Sequence, residues 1–190
     1  MPPALATVTE ERDRDDAGPA GGGWLIARAR TGDPGAFSRL VEENMEFIFR
    51  VAWKLCGNPS DAEDIAQEVC EKLATAIKAF DERAAFTSWL YAITLNCVRD
   101  HMRARARRGR KHDAYGMEWH EETSGGQDEA VMKKELWAAV AKLPEQQREA
   151  VVLVYCEELS HAEAGRIMGI REGTVSSHIH DAKKALRDLL

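Results

Sequence analysis

The feature that most constrains the fold is an interruption of helical periodicity between residues 111 and 128. On both sides of it, apolar residues recur at offsets of three and four, the spacing of amphipathic helices. The interruption contains three glycines, five acidic residues and one basic residue. A structureless stretch of this length is unusual inside one compact domain. The sequence therefore predicts two domains, at residues 24–110 and 129–190, joined by a flexible linker at residues 111–128.

All predicted elements are helices, because no segment shows the sustained two-residue alternation of a strand. We therefore predict an all-α protein made of two small helical domains. Residues 1–23 are rich in Pro, Ala, Gly and Asp and have no apolar period, so we expect a flexible amino-terminal tail.

Capping residues predict where the helices begin and end. Asp33 followed by Pro34 predicts the start of a helix that runs to about Cys56. Further helix starts are expected at Ser60 with Glu63, at Thr87 or Ser88, at Pro144, and at Ser160 with Glu163. The helix from Pro144 should run to about Tyr155, and Gly169 is expected to end the helix that begins at Ser160.

Composition excludes several classes of protein. The chain has 190 residues, with 26 Lys and Arg against 32 Asp and Glu, and a net charge of -6 excludes a uniformly basic nucleic-acid coat. No apolar stretch approaches the ~20 residues needed to cross a bilayer, and the amino terminus does not resemble a signal peptide. We therefore expect a cytoplasmic protein. The four cysteines have no C-x-x-C spacing and lie in apolar runs, which favours buried thiols.

The last two predicted helices form a candidate helix-turn-helix. After the Gly169 turn, a helix beginning near Arg171 has an apolar stripe of Val175, Ile179, Ala182 and Leu186. Its opposite side carries small, polar and basic residues, namely Gly173, Ser176, Ser177, His180, Lys183, Lys184 and Arg187. A polar second helix of this kind fits the DNA major groove. The same pattern also suits an ordinary helical hairpin with a solvated face.

The third helix of the first domain carries a basic stripe. Trp89, Asn96, Arg99 and Arg103 share one side of the helix, and residues 99–111 contain seven Lys or Arg and one acid. Cations that meet phosphates and a ring that stacks on a base suit a single nucleic-acid strand. The alternative is a solvated helix end whose arginines complement the helix dipole.

The second helix has an acidic surface beside its apolar stripe, formed by Asp61, Glu63, Asp64, Gln67, Glu68 and Glu71. Acids in a first helical turn are expected for dipole reasons alone. The functional alternative is docking onto a basic partner protein.

Known catalytic patterns are absent from the sequence. It contains no Walker loop, no G-x-S-x-G and no H-E-x-x-H, and His178 and His180 lie two residues apart on a helix, where they point away from each other. We therefore predict a protein that is not an enzyme and has no metal or other cofactor. The competing functions are a stand-alone helix-turn-helix transcriptional regulator and an adaptor that binds only proteins.

Several motifs together resemble the extracytoplasmic-function (ECF, group 4) sigma factors of bacterial RNA polymerase. The stretch from Asp61 to Val69 (DAEDIAQEV) and the stretch from Phe86 to Asn96 (FTSWLYAITLN), followed by Arg99 and Asp100, resemble region two of that family. The stretches LPEQQREAV (143–151), LSHAEA (159–164), MGI (168–170) and EGTV (172–175) resemble region four. These matches cover about residues 24–108 and 129–190.

The resemblance implies a sigma factor that binds core RNA polymerase and directs promoter recognition, promoter melting and initiation at a stress- or signal-responsive regulon. It implies docking on the clamp helices of the largest polymerase subunit through Asp61, Asp64, Gln67 and Glu68, and contact with the flap region. Promoter DNA and an anti-sigma protein are the other implied partners.

The resemblance also implies DNA-binding residues. The minus-ten element would be held by Lys78, Phe80, Arg83, Ser88, Trp89, Asn96, Arg99, Asp100 and Arg103, with the loop from Lys78 to Arg83 around a flipped base. The minus-thirty-five element would be read by Arg171, Gly173, Thr174, Ser176, Ser177, His178, His180 and Lys183. Family members commonly have Lys, Arg and Arg where this chain has Ser176, His178 and Asp181, so we expect weak binding of the free protein to duplex DNA.

Overall fold

The computed structural model describes residues 23–108 and 127–190, with the side chains of residues 127–131 and 133 excepted. Throughout these residues the regular structure is helical, which confirms the predicted all-α class. The elements are α1 (Gly23–Arg30), α2 (Pro34–Cys56), α3 (Pro59–Ala76), a short 3-10 turn (Ile77–Ala79), α4 (Phe86–Arg107), α5 (Gln127–Ala141), α6 (Glu145–Val151), a π-helical turn (Val152–Cys156), α7 (His161–Met168) and α8 (Glu172–Leu189).

The start and end of α2 agree with the sequence prediction. The Asp33 carboxylate accepts hydrogen bonds from the backbone N–H groups of Gly35 and Ala36 at 2.9 and 3.1 Å, and Pro34 is the first helical residue. Gly57 ends the helix at a φ of 72°, a conformation that glycine adopts without steric cost.

Two predicted caps in the first domain are wrong. Asn58, and not Ser60, caps α3, since its side-chain oxygen accepts from the N–H of Asp61 at 3.0 Å. Proline at position 59 is already helical, which places Ser60 inside the first turn. The helix α4 begins at Phe86 after Ala85, with no side-chain cap, so Thr87 and Ser88 both lie within it.

The helix starts and ends predicted for the second domain agree closely with the structure. The helix after Pro144 begins at Glu145, and its last turn widens into the π-helical Val152–Cys156. The capping box of Ser160 and Glu163 is present at the start of α7, and Gly169 ends α7 at a φ of 73°. These observations confirm the predicted helix, Gly turn and second helix.

One hydrophobic core runs through both predicted domains. It contains the fully buried Leu40 and Leu95 of the first and Leu153 and Val175 of the second. Helix α4 packs against α7, which joins the two parts. The predicted tail, apart from Gly23, and most of the predicted linker lie outside the described residues, so the domain boundaries stay a prediction.

Candidate nucleic-acid and partner-binding surfaces

The turn between α7 and α8 is tight because a glycine allows close approach. The N–H of Ile170 donates to the carbonyl of Gly165 at 2.9 Å. A Cβ atom at Gly165 would lie 2.9 Å from the carbonyl oxygen of Ile170, which only the absence of a side chain permits. No motif or spacing in the sequence predicted a role for this glycine. Its close approach sets the position of α8 against α7.

The outer face of α8 is open to solvent. Of the eight residues assigned to the minus-thirty-five element, seven are exposed, namely Arg171, Gly173, Thr174, Ser176, Ser177, His180 and Lys183. His178 differs, because it is half-buried and its Nε2 is buried with no hydrogen-bond partner among the described residues. The buried stripe is Val175, Ile179 and Ala182, as the helical period predicts.

Two contacts from neighbouring elements orient side chains on this face. The hydroxyl of Ser176 donates to the carbonyl of Glu172 at 3.2 Å and lies 2.9 Å from Nδ1 of His161. The ammonium of Lys183 lies 5.3 Å from the ring centroid of the exposed Tyr155, which is a cation–π contact. Helix α8 therefore presents a polar surface whose side chains are partly positioned before any ligand binds.

Trp89 belongs to an aromatic cluster at the start of α4. Its ring centroid lies 4.8 Å from that of Phe80 and 5.8 Å from that of Phe86. Phe80 is only 4% exposed, so its ring packs inside the protein rather than facing a base. Trp89 and the neighbouring Ser88 are both half-buried.

The loop before α4 carries exposed charges. Lys78 and Arg83 are exposed, and the Arg83 guanidinium pairs with Asp81 at 2.5 Å. Glu82 has a positive φ of 61° and forms an ion pair with Arg30 of α1. The loop is therefore held against α1 while its two assigned basic side chains point into solvent.

The basic stripe of α4 is only partly free. Asn96, Asp100 and Arg103 are exposed. Arg99 is 18% exposed and forms a two-pronged pair with the Glu149 carboxylate of α6, Nε to Oε1 at 2.8 Å and Nη2 to Oε2 at 2.7 Å. Because Arg99 donates both hydrogen bonds to the Glu149 carboxylate, the pKa of Arg99 is raised above its ordinary value. Arg110 and Lys111 of the basic cluster lie outside the described residues.

The acidic surface of α3 divides into free and engaged side chains. Asp64 and Gln67 are exposed. Glu68 pairs with Lys72 at 2.8 Å, and the same ammonium lies 3.6 Å from Asp100 of the α4 stripe. The Lys72 pKa is raised, chiefly by the hydrogen bond to Glu68. Lys72 thus links a residue assigned to polymerase docking with one assigned to DNA.

Asp61 has partners at the far end of α4. Its carboxylate forms an ion pair with Arg105 and lies 3.2 Å from Nε2 of His101. Only 17% of the Asp61 side chain is exposed. In this structure Asp61 holds α3 against α4, whereas Asp64 faces solvent.

An apolar groove lies between α2 and α3 next to the acidic surface. Its volume is about 640 Å³. Val41, Met45, Phe49 and Cys70 contribute apolar lining, and three glutamates, at positions 42, 46 and 63, surround it with Gln67. The exposed part of the α3 surface is therefore continuous with an apolar depression.

Besides Glu149, a second buried carboxylate joins the two domains, and no sequence pattern predicted either of them. Glu157, whose side chain is 4% exposed, accepts from Lys54 Nζ at 2.8 Å and from the Tyr91 hydroxyl at 2.6 Å. Burial and the hydrogen bond to Glu157 raise the pKa of Tyr91 above its ordinary range. One signal was available, because Lys54 stands between apolar residues of α2 where a charge is rarely buried without a partner.

Comparison with known proteins identifies both parts of the chain. Residues 40–108 match the family model described as Sigma-70 region 2, and residues 133–186 match the one described as Sigma-70, region 4. The ECF RNA polymerase sigma factor SigW of Bacillus subtilis is 32% identical over 181 residues, covering 87% of this chain and 94% of SigW. The RNA polymerase sigma-H factor of Pseudomonas aeruginosa is 30% identical, and 94% of each chain is covered.

Two solved structures share the fold at 25% identity. The structure of CnrH in complex with the cytosolic domain of CnrY has a TM-score of 0.63 and covers 87% of this chain and 94% of that chain. The sigma factor RpoE in complex with the anti-sigma factor NepR from Bartonella quintana has a TM-score of 0.65 and covers 80% of this chain and 95% of that chain.

Region 2 followed by a region 4 with a helix-turn-helix defines the class of protein, a sigma factor of the Sigma-70 type. Such proteins associate with RNA polymerase and direct it to promoters. The chain belongs to the ECF RNA polymerase sigma factors, which confirms the resemblance drawn from its motifs. The relatives are sigma factors, which are not enzymes. Within residues 23–108 and 127–190, no helix is long and apolar enough to span a membrane.

Proposed function

We propose that this ECF sigma factor divides its work among three helices. Helix α3 docks on the clamp helices of the largest polymerase subunit, α4 captures the minus-ten element, and α8 reads the minus-thirty-five element. The protein performs no chemical reaction of its own, and it acts in the cytoplasm, where polymerase and promoter meet. The exposed polar face of α8, held by the tight Gly165 turn, is the single observation that carries the DNA-binding part of the proposal.

The minus-thirty-five assignment is supported by exposure and chemistry. The amino-terminal residues of a recognition helix reach base edges in the major groove. In α8 these are Gly173, Thr174, Ser176 and Ser177, all exposed. Hydroxyl groups can donate to or accept from bases, and Lys183 further along can meet a phosphate.

The minus-ten assignment rests on the exposed end of the α4 stripe. Asn96 and Arg103 are exposed, with Arg103 in a surface ion pair with Asp100 at 3.8 Å, and Lys78 and Arg83 are exposed in the segment before α4. Extruding a base costs a few kcal/mol, and stacking on an aromatic ring can return ~1–3 kcal/mol. The half-buried Trp89, which shares one side of α4 with Asn96 and Arg103, is the aromatic side chain assigned to this stacking. Phe80 supports Trp89 from inside.

The polymerase assignment rests on Asp64 and Gln67, which are exposed beside the groove between α2 and α3. A partner with basic residues around an apolar ridge would complement this surface. The structural neighbour RpoE was solved with an anti-sigma factor. We therefore propose that a protein inhibitor also holds this chain inactive.

Reconstituted transcription tests the proposal. We expect the purified chain, added to core RNA polymerase, to produce promoter-dependent transcript from some linear fragments of its own genome. Asp64→Lys should lower the affinity for core polymerase at least tenfold (~1.4 kcal/mol), because it reverses an exposed charge at the docking surface. The control Glu158→Lys makes the same change at an exposed position away from α3.

Two results would contradict the assignment. A folded wild-type protein that yields no transcript from any genomic fragment would exclude sigma activity and favour a stand-alone regulator. Equal loss of core binding in Asp64→Lys and Glu158→Lys would place the docking surface elsewhere.

A further inference from the structure

Two glutamates of region 4 are buried against region 2. Glu149 and Glu157 have side chains only 3% and 4% exposed, and each meets groups of the other domain. Carboxylates are rarely buried to this extent unless they are paired. Both pairs join residues that are far apart in the sequence, so they report on how the two domains are held together.

The Glu149 carboxylate occupies one edge of the Arg99 guanidinium. Two parallel N–H···O hydrogen bonds of 2.8 and 2.7 Å join the guanidinium to the carboxylate. A further guanidinium contact reaches the carbonyl of Met168 at 3.5 Å, near the end of α7. A guanidinium binds a carboxylate and a phosphate with the same planar fork, so it holds one of them at a time.

The Glu157 contact gathers donors from two helices of region 2. Lys54 of α2 and Tyr91 of α4 donate to its two oxygens at 2.8 and 2.6 Å, and Arg50 of α2 lies 3.7 Å away. Because the Glu157 carboxylate accepts hydrogen bonds from both α2 and α4, both contacts form only when these two helices are packed together in region 2. This contact involves none of the residues assigned to DNA.

We propose that Glu149 and Glu157 form a latch, meaning a pair of contacts that holds region 4 closed on region 2. In the closed molecule Glu149 binds the guanidinium of Arg99 that would otherwise bind the minus-ten strand. Closure and capture of the strand by Arg99 then exclude each other. The closure stands on the geometry alone, whereas the competition with DNA rests on the proposed function of α4. The apparent affinity of the free chain for single-stranded DNA is reduced by the fraction of molecules that are open.

The first measurement is the size of the full-length chain in solution. A compact chain of 190 residues has a radius of gyration of about 16 Å, and separated domains give a larger value. We expect Glu149→Gln combined with Glu157→Gln to enlarge the radius of gyration in small-angle X-ray scattering. Glu158→Gln, at an exposed neighbouring position, should leave it unchanged. Equal radii for all three proteins would overturn the latch.

The second measurement is binding of a fluorescein-labelled single-stranded DNA of random sequence. The double glutamine variant should bind it several-fold more tightly than the wild type, because Arg99 is released. Expansion without tighter binding would overturn the competition at Arg99. A wild-type chain that fails in transcription while the latch variants still expand would reject the proposed function and leave the closure intact.

A charge swap distinguishes the loss of the ion pair between Arg99 and Glu149 from general damage to the fold. Glu149→Arg alone should open the molecule by repelling Arg99. Adding Arg99→Glu restores the ion pair with its two charges exchanged, and it should return the radius of gyration toward that of the wild type. This double variant should still bind single-stranded DNA poorly, since its cation now lies on region 4. Expansion that persists in the double variant would contradict the pairing.

Discussion

Four buried polar or charged side chains, those of Asn44, Lys54, Thr94 and Glu149, find hydrogen-bond partners in two different ways. Asn44 and Thr94 donate to carbonyls one turn earlier in their own helices, at 2.7 and 2.9 Å. Lys54 and Glu149 instead bind side chains of the other domain. A local hydrogen bond survives any movement of one domain against the other, whereas the cross-domain pairs do not. The residues that report on domain closure are therefore the buried charges.

The capping box of α7 gives a prediction with a defined pH dependence. Hydrogen bonds from the hydroxyl and then the N–H of Ser160 hold the Glu163 pKa below its ordinary value of 4.5. The stabilisation is therefore complete above that ordinary value and is lost as the pH falls through the lowered pKa. Glu163→Ala should cost about 0.5–1 kcal/mol near neutral pH, measured by urea unfolding.

The same comparison at acid pH supplies the check. The difference between Glu163→Ala and wild type should narrow as the Glu163 carboxylate of the wild type becomes protonated. Glu158→Ala removes an exposed glutamate that caps no helix and should show no such narrowing. A difference that stays constant down to the pH at which Glu163 is neutral would contradict the role of its charge.

At the scale of single elements, local rules predicted helix ends where one residue dominates and failed where two candidates compete. Asp33 and Gly169 are strong signals at their helix ends, and each lies where it was expected, as does the end of α2 at Cys56. At α3, both Asn58 and Ser60 can cap, and Asn58 prevails because Pro59 favours the first helical position. At α4, the packed Phe86 starts the helix without a polar cap, because its burial outweighs a missing hydrogen bond.

The recognition helix α8 yields a prediction about DNA affinity. Asp181 is an exposed acidic residue on α8. Asp181→Arg should raise affinity for duplex promoter DNA, and one added phosphate contact should steepen the salt dependence by ~0.9 in log–log slope. Fluorescence titration at two salt concentrations measures both effects. Unchanged or weaker affinity would show that the side of α8 that carries Asp181 does not approach the DNA backbone.

Glu46→Arg is the matched control for that titration. It makes the same charge change at an exposed position on α2. A rise equal to that of Asp181→Arg would mean that net charge alone, and not a contact at α8, increases the affinity.

At the scale of the whole molecule, one core spans both regions. Because Leu153 is fully buried in the cluster that also contains Leu40 and Leu95, the loss of one part exposes the other. We expect a single calorimetric unfolding transition, with the calorimetric enthalpy equal to the van't Hoff enthalpy. Leu153→Ala should lower the stability of the entire transition by ~2–5 kcal/mol.

The control for the calorimetry is Leu190→Ala, since Leu190 is 68% exposed. It should leave the transition temperature nearly unchanged. Two resolved transitions in the wild type, or a Leu153→Ala variant in which only part of the heat absorption shifts, would show that the regions unfold independently.

The sequence by itself determined the all-α class, the helix-turn-helix and the family, because each rests on local periodicity, local caps or contiguous motifs. Tertiary structure alone decided which assigned residues are free. The pattern that placed Arg99 beside Asn96 and Arg103 could not reveal that Glu149, fifty residues later, occupies it. Nor could it show that Asp61 is held by Arg105 while Asp64 is exposed. Periodicity says which face of a helix is polar, but the partner of a charge is set by packing between segments distant in sequence.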